Sequence, residues 1–143
     1  MKKILIMVFF GFFLFGCGDD KKIDEYICPQ CNMPIVSKKD SAKIVSGGKT
    51  IFFDDVGCAI LWLKEKNIKA KDVEFIVYLR DSKNYLNAEN AFYSVNDKTP
   101  MNYGFGAYKI KKDGFVNFKE MQLKMFRGEN LTDPKIRKKI LGY

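Results

Sequence analysis

The chain has 143 residues and a formal net charge of +8, with 25 lysine and arginine residues against 17 aspartate and glutamate residues. This length suits one domain with one hydrophobic core. The chain has four cysteines and no histidine, which excludes metal centres built on imidazole ligands, such as blue-copper sites and zinc proteases.

The amino terminus has the pattern of a bacterial lipoprotein leader. Met1-Lys2-Lys3 is basic, and the apolar run that follows is long enough for a signal peptide but short for a membrane span. The run ends in Leu14-Phe15-Gly16-Cys17, which resembles a lipobox. We predict a signal peptide over residues 1–16, a lipidated (palmitate-bearing) tether over 17–26 and one domain over 27–143. An uncleaved helical anchor is the alternative.

The acylated Cys17 would hold the domain on a membrane, facing the periplasm. Gly18 rather than aspartate follows this cysteine, which favours the outer membrane over the inner membrane. Nucleic acid is excluded as a partner by this compartment. The densest basic cluster is interpreted as solvated surface; it consists of Lys135, Arg137, Lys138 and Lys139.

Three sulfur donors lie close together in Cys28-Pro29-Gln30-Cys31-Asn32-Met33. Thiolates and thioethers favour Cu(I). Met33 precedes Pro34, so we expect an extended backbone that points Cys31 and Met33 to the same side, with Cys28 as a third donor. The alternatives are a thiol-disulfide redox pair of Cys28 and Cys31, a structural zinc site and a plain disulfide bridge. We interpret Cys58, in an apolar segment, as a small buried residue.

The elements predicted after this motif alternate between strands and helices. Residues 42–45 and 50–53 form a hairpin around Gly47-Gly48. A helix follows, capped by Asp54 or Asp55, because Val56, Ala59, Ile60 and Leu63 recur at helical spacing. Strands are predicted over residues 73–79, 91–95 and 105–110, and helices over about 118–126 and 133–141. This order indicates an α+β domain.

Four motifs in this order, together with the lipobox, resemble the NosL family, the copper-accessory lipoproteins of nitrous oxide reductase. They are Cys28-Pro-Gln-Cys31-Asn-Met33-Pro, residues 53–57 (Phe-Asp-Asp-Val-Gly), residues 88–93 (Ala-Glu-Asn-Ala-Phe-Tyr) and residues 99–108, which begin Thr-Pro-Met. The resemblance extends over residues 27–110.

The resemblance implies a small mixed sheet with packed helices, similar to the fold of the NosL and organomercurial lyase group. It implies a non-enzymatic metallochaperone that binds Cu(I) through Cys31 and Met33 and delivers it to apo nitrous oxide reductase during maturation for denitrification, or to another periplasmic copper carrier. It favours Met101 as a further ligand, although Met101 would otherwise serve equally well as core beneath its loop. By fold analogy alone, the remaining alternative is an organomercurial lyase that uses the cysteines with Asp54 or Asp55.

Overall fold

The computed structural model describes residues 23–143. The predicted leader, Cys17 and most of the predicted tether lie outside the described residues. Within residues 23–143, no helix is both long enough and apolar enough to span a bilayer.

The main sheet has four strands, which are β1 (Ala42–Ser46), β2 (Lys49–Phe53), β3 (Glu74–Tyr78) and β4 (Tyr85–Asn87). Their order in the sheet is β2-β1-β3-β4, and every pair is antiparallel. Gly47 and Gly48 join β1 to β2 with φ of 56° and 74°. Two positive φ angles match the twist of a two-residue hairpin, so glycine is required here.

A second, smaller antiparallel sheet has the order β6-β5-β7, from β5 (Phe92–Tyr93), β6 (Ala107–Tyr108) and β7 (Val116–Asn117). Its strands are only two residues long, so its position depends mainly on side-chain packing. Tyr93, for example, is fully buried, and its hydroxyl donates a hydrogen bond to the carbonyl of Ala88 at 2.7 Å.

Three α-helices complete the domain, namely α1 (Val56–Glu65), α2 (Phe118–Arg127) and α3 (Pro134–Leu141). Short 3-10 turns lie at Ile23–Glu25, Ala70–Asp72 and Ala88–Asn90. Helix α1 packs against both β1 and α2 and buries the apolar face that the sequence predicts, including Ile60 and Leu63. Helix α3 has no buried residue, so it contributes little to the core.

A partly buried ionic network fixes the loop that leads towards the predicted Met101 ligand. Arg80, just after β3, bonds Asp40 through its Nη2 at 2.8 Å and Asp97 through its Nη1 at 2.9 Å. The Arg80 side chain is 11% exposed and the Asp40 side chain 5%. Asp40 precedes β1 and Asp97 follows β5, so one guanidinium holds together segments that are distant in the chain.

The α+β prediction is confirmed, and so are the hairpin and all three helices. The predicted strands over 91–95 and 105–110 are shorter in the structure, at two residues each. Strands β4 and β7 had no counterpart among the predicted elements.

Candidate metal centre

The sulfur motif forms the tip of a tight hairpin. Ile27 and Pro34 make an antiparallel bridge, and the Ile35 N–H donates to the Tyr26 carbonyl at 2.9 Å. The Cys28 N–H then donates to the Met33 carbonyl at 2.8 Å. The carbonyl of Cys28 also accepts from the Asn32 N–H at 2.8 Å, so both ends of the loop meet at Cys28.

The predicted extended conformation from Cys31 to Met33 is wrong. Cys31 lies in a turn, and Asn32 has a left-handed backbone with φ of 60°. Pro34 restricts only Met33, the residue directly before it, and asparagine tolerates the left-handed region better than most residues. Met33 instead lies opposite Cys28, and directly opposed residues of an antiparallel pair share a face. Met33 is 45% exposed, so it lies at the protein surface.

The two aspartates that follow β2 have different roles. Asp55 caps α1, with its Oδ1 accepting from the Gly57 N–H at 2.9 Å. Asp54 is only 4% exposed, and its Oδ2 accepts from the Cys31 thiol at 3.3 Å. The other oxygen of Asp54 is buried and has no hydrogen-bond partner among the described residues. Asp55 is therefore the structural cap, and Asp54 belongs to the cysteine site.

The structure brings together three thiols and one carboxylate, which we call the thiol cluster. The ligand atoms of Cys28, Cys31, Asp54 and Cys58 all lie within 4.8 Å of one another. Cys28 and Cys58 are fully buried, Cys31 is half-buried, and all three are free thiols.

The sequence analysis did not assign Cys58 and Asp54 to this site. Cys58 is buried, as predicted, but its thiol takes part in the cluster. Its position in the first turn of α1, three residues after the capping Asp55, was the available signal, because side chains there lie near the end of the preceding strand.

The electrostatics of the thiol cluster single out Cys28 as the most easily ionised thiol. A hydrogen bond from the Cys58 thiol lowers the pKa of Cys28 and outweighs burial, with further help from the backbone N–H groups of Cys31 and Asp54. The same bond, together with burial, raises the pKa of Cys58. Burial chiefly raises the pKa of Cys31, and Asp54 adds to it. One thiolate flanked by two protonated thiols can bind a metal and release protons as the others join.

The Thr-Pro-Met loop lies over the amino end of α1. The second carboxylate oxygen of Asp55 accepts from the Met101 N–H at 3.1 Å, and the Met101 side chain is partly buried against the core. The ring of Tyr103 covers Gly57, where an added Cβ would lie 2.9 Å from the ring's Cγ. Burial chiefly raises the pKa of Tyr103, and the nearby charge of Asp55 raises it further. This loop therefore lies over the end of α1 that carries Cys58, and the role of Met101 as a ligand stays a prediction.

The sequence matches no protein-family model and no curated protein. The structure is similar to the crystal structure of the copper chaperone NosL from Shewanella denitrificans, with a TM-score of 0.57 and 17% sequence identity. The match covers 70% of this chain and 92% of that one. The described domain therefore has the α+β fold of this copper chaperone.

Proposed function

We propose that this protein is a Cu(I) carrier that binds the ion at the thiol cluster and passes it to a copper-accepting protein. The observation that supports the proposal most directly is the meeting of the Cys28, Cys31 and Cys58 thiols with mutual ligand-atom distances within 4.8 Å. Thiolates are the donors that Cu(I) prefers. The fold shared with a copper chaperone and the sequence motifs that resemble the NosL family support the same function.

In this proposal Cys31 and Met33 are the primary ligands, Cys28 is auxiliary, and Met101 completes the coordination. Cys31 is half-buried and Met33 is 45% exposed, so ligands of a partner can reach the ion from that side. Neutral thioethers hold Cu(I) without adding negative charge. An incoming thiolate or thioether can therefore displace Met33 or Met101 first and the thiolates afterwards.

We propose nitrous oxide reductase as the recipient, with another periplasmic copper carrier as the alternative. The lipid on Cys17 would hold the carrier at the periplasmic face of the outer membrane rather than the inner one. The lipobox and the polar residues that follow it support this location. Membrane fractionation tests it: wild-type protein should pellet with membranes and Cys17→Ala protein should not. A Cys17→Ala protein that still pellets would rule out the lipid as the anchor.

Anaerobic titration of the full chain in detergent, against a chromophoric Cu(I) chelator, tests the carrier function. We expect one Cu(I) per chain. Cys31→Ser should lower the Cu(I) affinity by about tenfold or more, because loss of a group that only hydrogen-bonds to a metal ligand already has an effect of that size. Met33→Leu should also lower Cu(I) affinity, and Met125→Leu, which makes the same change at a buried position of α2, is its control and should not. Wild-type affinity in Cys31→Ser would contradict the ligand assignment.

Thiol-disulfide exchange is the second candidate, because the lowered pKa of Cys28 is a property that attacking thiols share. It predicts that the reduced protein reduces a model disulfide and itself acquires a bond between Cys28 and Cys31. Peptide mass mapping after thiol alkylation detects that bond. If the wild-type protein reduces the model disulfide and binds no Cu(I) in the anaerobic titration, the redox function gains support over the carrier function.

The same cluster offers paired thiols beside a carboxylic acid, as carbon-mercury cleavage would require. The Cys31 thiol donates to Asp54 at 3.3 Å, and this contact is the observation that favours a test. Incubation with an alkylmercury compound, followed by measurement of the released alkane, decides between a lyase and a carrier. We expect mercury binding without release of alkane.

A further inference from the structure

The Asp54 carboxylate is the least satisfied group of the thiol cluster. It is only 4% exposed, and among residues 23–143 its Oδ1 has no hydrogen-bond partner and its Oδ2 accepts only from a thiol. Burial of such an oxygen is costly unless a partner compensates it. In the described part of the chain, the ion pairs of acidic groups involve Asp40, Asp97 and Glu129. Asp54 is therefore a buried acidic group that has no paired cation among the described residues.

Cu(I) does not supply that partner well. It favours sulfur and low coordination numbers, whereas carboxylate oxygen is a ligand for harder ions. Zinc accepts both kinds of donor and is usually held by four ligands in a closed tetrahedron. The function proposed above therefore leaves Asp54 unused, while a divalent ion of the zinc class would use it.

The dimensions of the cluster suit four-coordinate binding after a small contraction. With Zn–S distances of about 2.3 Å, the sulfur atoms of a tetrahedral site lie about 3.8 Å apart. The donor atoms here already lie within 4.8 Å of one another, so movements of about 1 Å would close the site. When ionised, the three thiolates and the carboxylate carry four negative charges, and a divalent ion offsets one more of them than Cu(I) does.

We propose that Cys28, Cys31, Cys58 and Asp54 form a second binding mode for a thiophilic divalent cation such as Zn(II). The inference rests on the proposed function in one respect, because Zn(II) and Cu(I) would share Cys28 and Cys31. In the divalent mode the other two ligands are Cys58 and Asp54, and in the Cu(I) mode the thioethers of Met33 and Met101 replace them. A bound divalent ion would hold the thiols together until Cu(I), with its stronger preference for thiolates, displaces it.

Co(II) and Zn(II), added separately to the reduced full chain in detergent, test the proposal. Co(II) should give the intense visible bands of tetrahedral coordination, together with thiolate-to-metal charge transfer. A competing chelator then measures Zn(II) affinity. Asp54→Asn should lower Zn(II) affinity about 10- to 100-fold and should lower Cu(I) affinity much less. Met33→Leu should show the opposite ranking, with Cu(I) affected more than Zn(II).

Two controls keep the comparison clear. Asp113→Asn makes the same change of carboxylate to amide at an exposed turn. The amide oxygen of Asp54→Asn can still accept from the Cys31 thiol, so circular dichroism should show a folded variant. A six-coordinate Co(II) spectrum, or equal Zn(II) affinity in wild type and Asp54→Asn, would overturn the divalent mode. Failure of Cu(I) binding with intact Zn(II) binding would instead overturn the carrier proposal alone.

Discussion

Replacement of Gly57 by alanine tests the contact between α1 and the Thr-Pro-Met loop. An added Cβ would lie 2.9 Å from Tyr103 Cγ and closer to the neighbouring ring carbon. Cγ lies on the axis about which the ring turns, so turning the ring alone does not relieve the clash. The Tyr103 side chain must change its χ1 angle, or the backbone near it must shift. Overpacking of this kind costs about 1–3 kcal/mol. Alanine regains up to about 1 kcal/mol through its helix propensity. We therefore expect a net loss of up to about 2 kcal/mol in the free energy of unfolding.

Trp62, the only tryptophan, reports this change directly. It lies on α1 with its ring 5.6 Å from that of Phe53, so its fluorescence should follow urea unfolding of the full chain in detergent. In a Tyr103→Ala background the clash is absent, and Gly57→Ala should be neutral or stabilising by up to about 1 kcal/mol. The sign of the alanine effect should therefore reverse between the two backgrounds, which a double-mutant cycle measures.

The same substitution should also lower Cu(I) affinity. A shifted Tyr103 moves the loop, and the hydrogen bond of 3.1 Å from the Met101 N–H to Asp55 is then lost or lengthened. An equal effect of Gly57→Ala on stability in both backgrounds would refute the steric argument. Unchanged copper affinity in a destabilised Gly57→Ala protein would refute the role of the loop in the metal site.

Three further outcomes can be measured. Met101→Leu should cost less than about 1.5 kcal/mol of stability but should remove one sulfur from the copper coordination seen by X-ray absorption; an unchanged spectrum would show that Met101 is core. Burial raises the pKa of Asp81, but three backbone N–H donors lower it below 3.8 overall. The hydrogen bonds to ionised Asp81 therefore stabilise the folded state above the ordinary pKa of an aspartate, and this stabilisation is lost as the pH falls through the lower pKa of the folded state. Asp81 is exposed, so solvent screens these hydrogen bonds, and Asp81→Asn should cost less than about 1 kcal/mol near neutral pH. The difference from wild type should shrink in acid; a difference independent of pH would contradict this. Arg80→Met should cost about 3–5 kcal/mol, because it leaves the buried Asp40 unpaired; a loss below about 1 kcal/mol in the free energy of unfolding, measured with urea, would contradict the stabilising role of the ion pairs of Arg80.

The sequence predicted those elements of the fold that depend on short-range patterns of turn residues and apolar residues. The hairpin at Gly47-Gly48 and the helix from Val56 follow from turn chemistry and from apolar spacing, and both appear in the structure. Strands β4 and β7 have three and two residues. No periodic pattern can show in so few positions, and only pairing with β3 and β5 defines them as strands.

The candidate site was predicted only in part, for a similar reason. Composition identified the sulfur motif, since three donors in one short segment are visible without a structure. The membership of Cys58 and Asp54 depends on how β2 and α1 are placed beside the hairpin, which is tertiary information. The error at Cys31 arose because Asn32 has a left-handed backbone, which changes the chain direction between Cys31 and Met33. Pro34 restricts only the residue before it, Met33, so it gives no information about Asn32.

The division of the thiol cluster between two chain segments has a mechanical consequence. Cys31 and Asp54 are 23 positions apart, and a β-bridge at Ile27 and Pro34 closes the hairpin that presents Cys28 and Cys31. A bound ion would therefore act as a cross-link from this hairpin to another segment. A divalent ion would link it to α1 through Cys58, and Cu(I) would link it to the Thr-Pro-Met loop through Met101. Ligands that bind only the folded state raise its stability. Amide hydrogens of the hairpin should accordingly exchange faster in the metal-free chain than in the loaded one. A copper-accepting protein could then distinguish the metal-loaded chain from the metal-free chain by the rigidity of this hairpin.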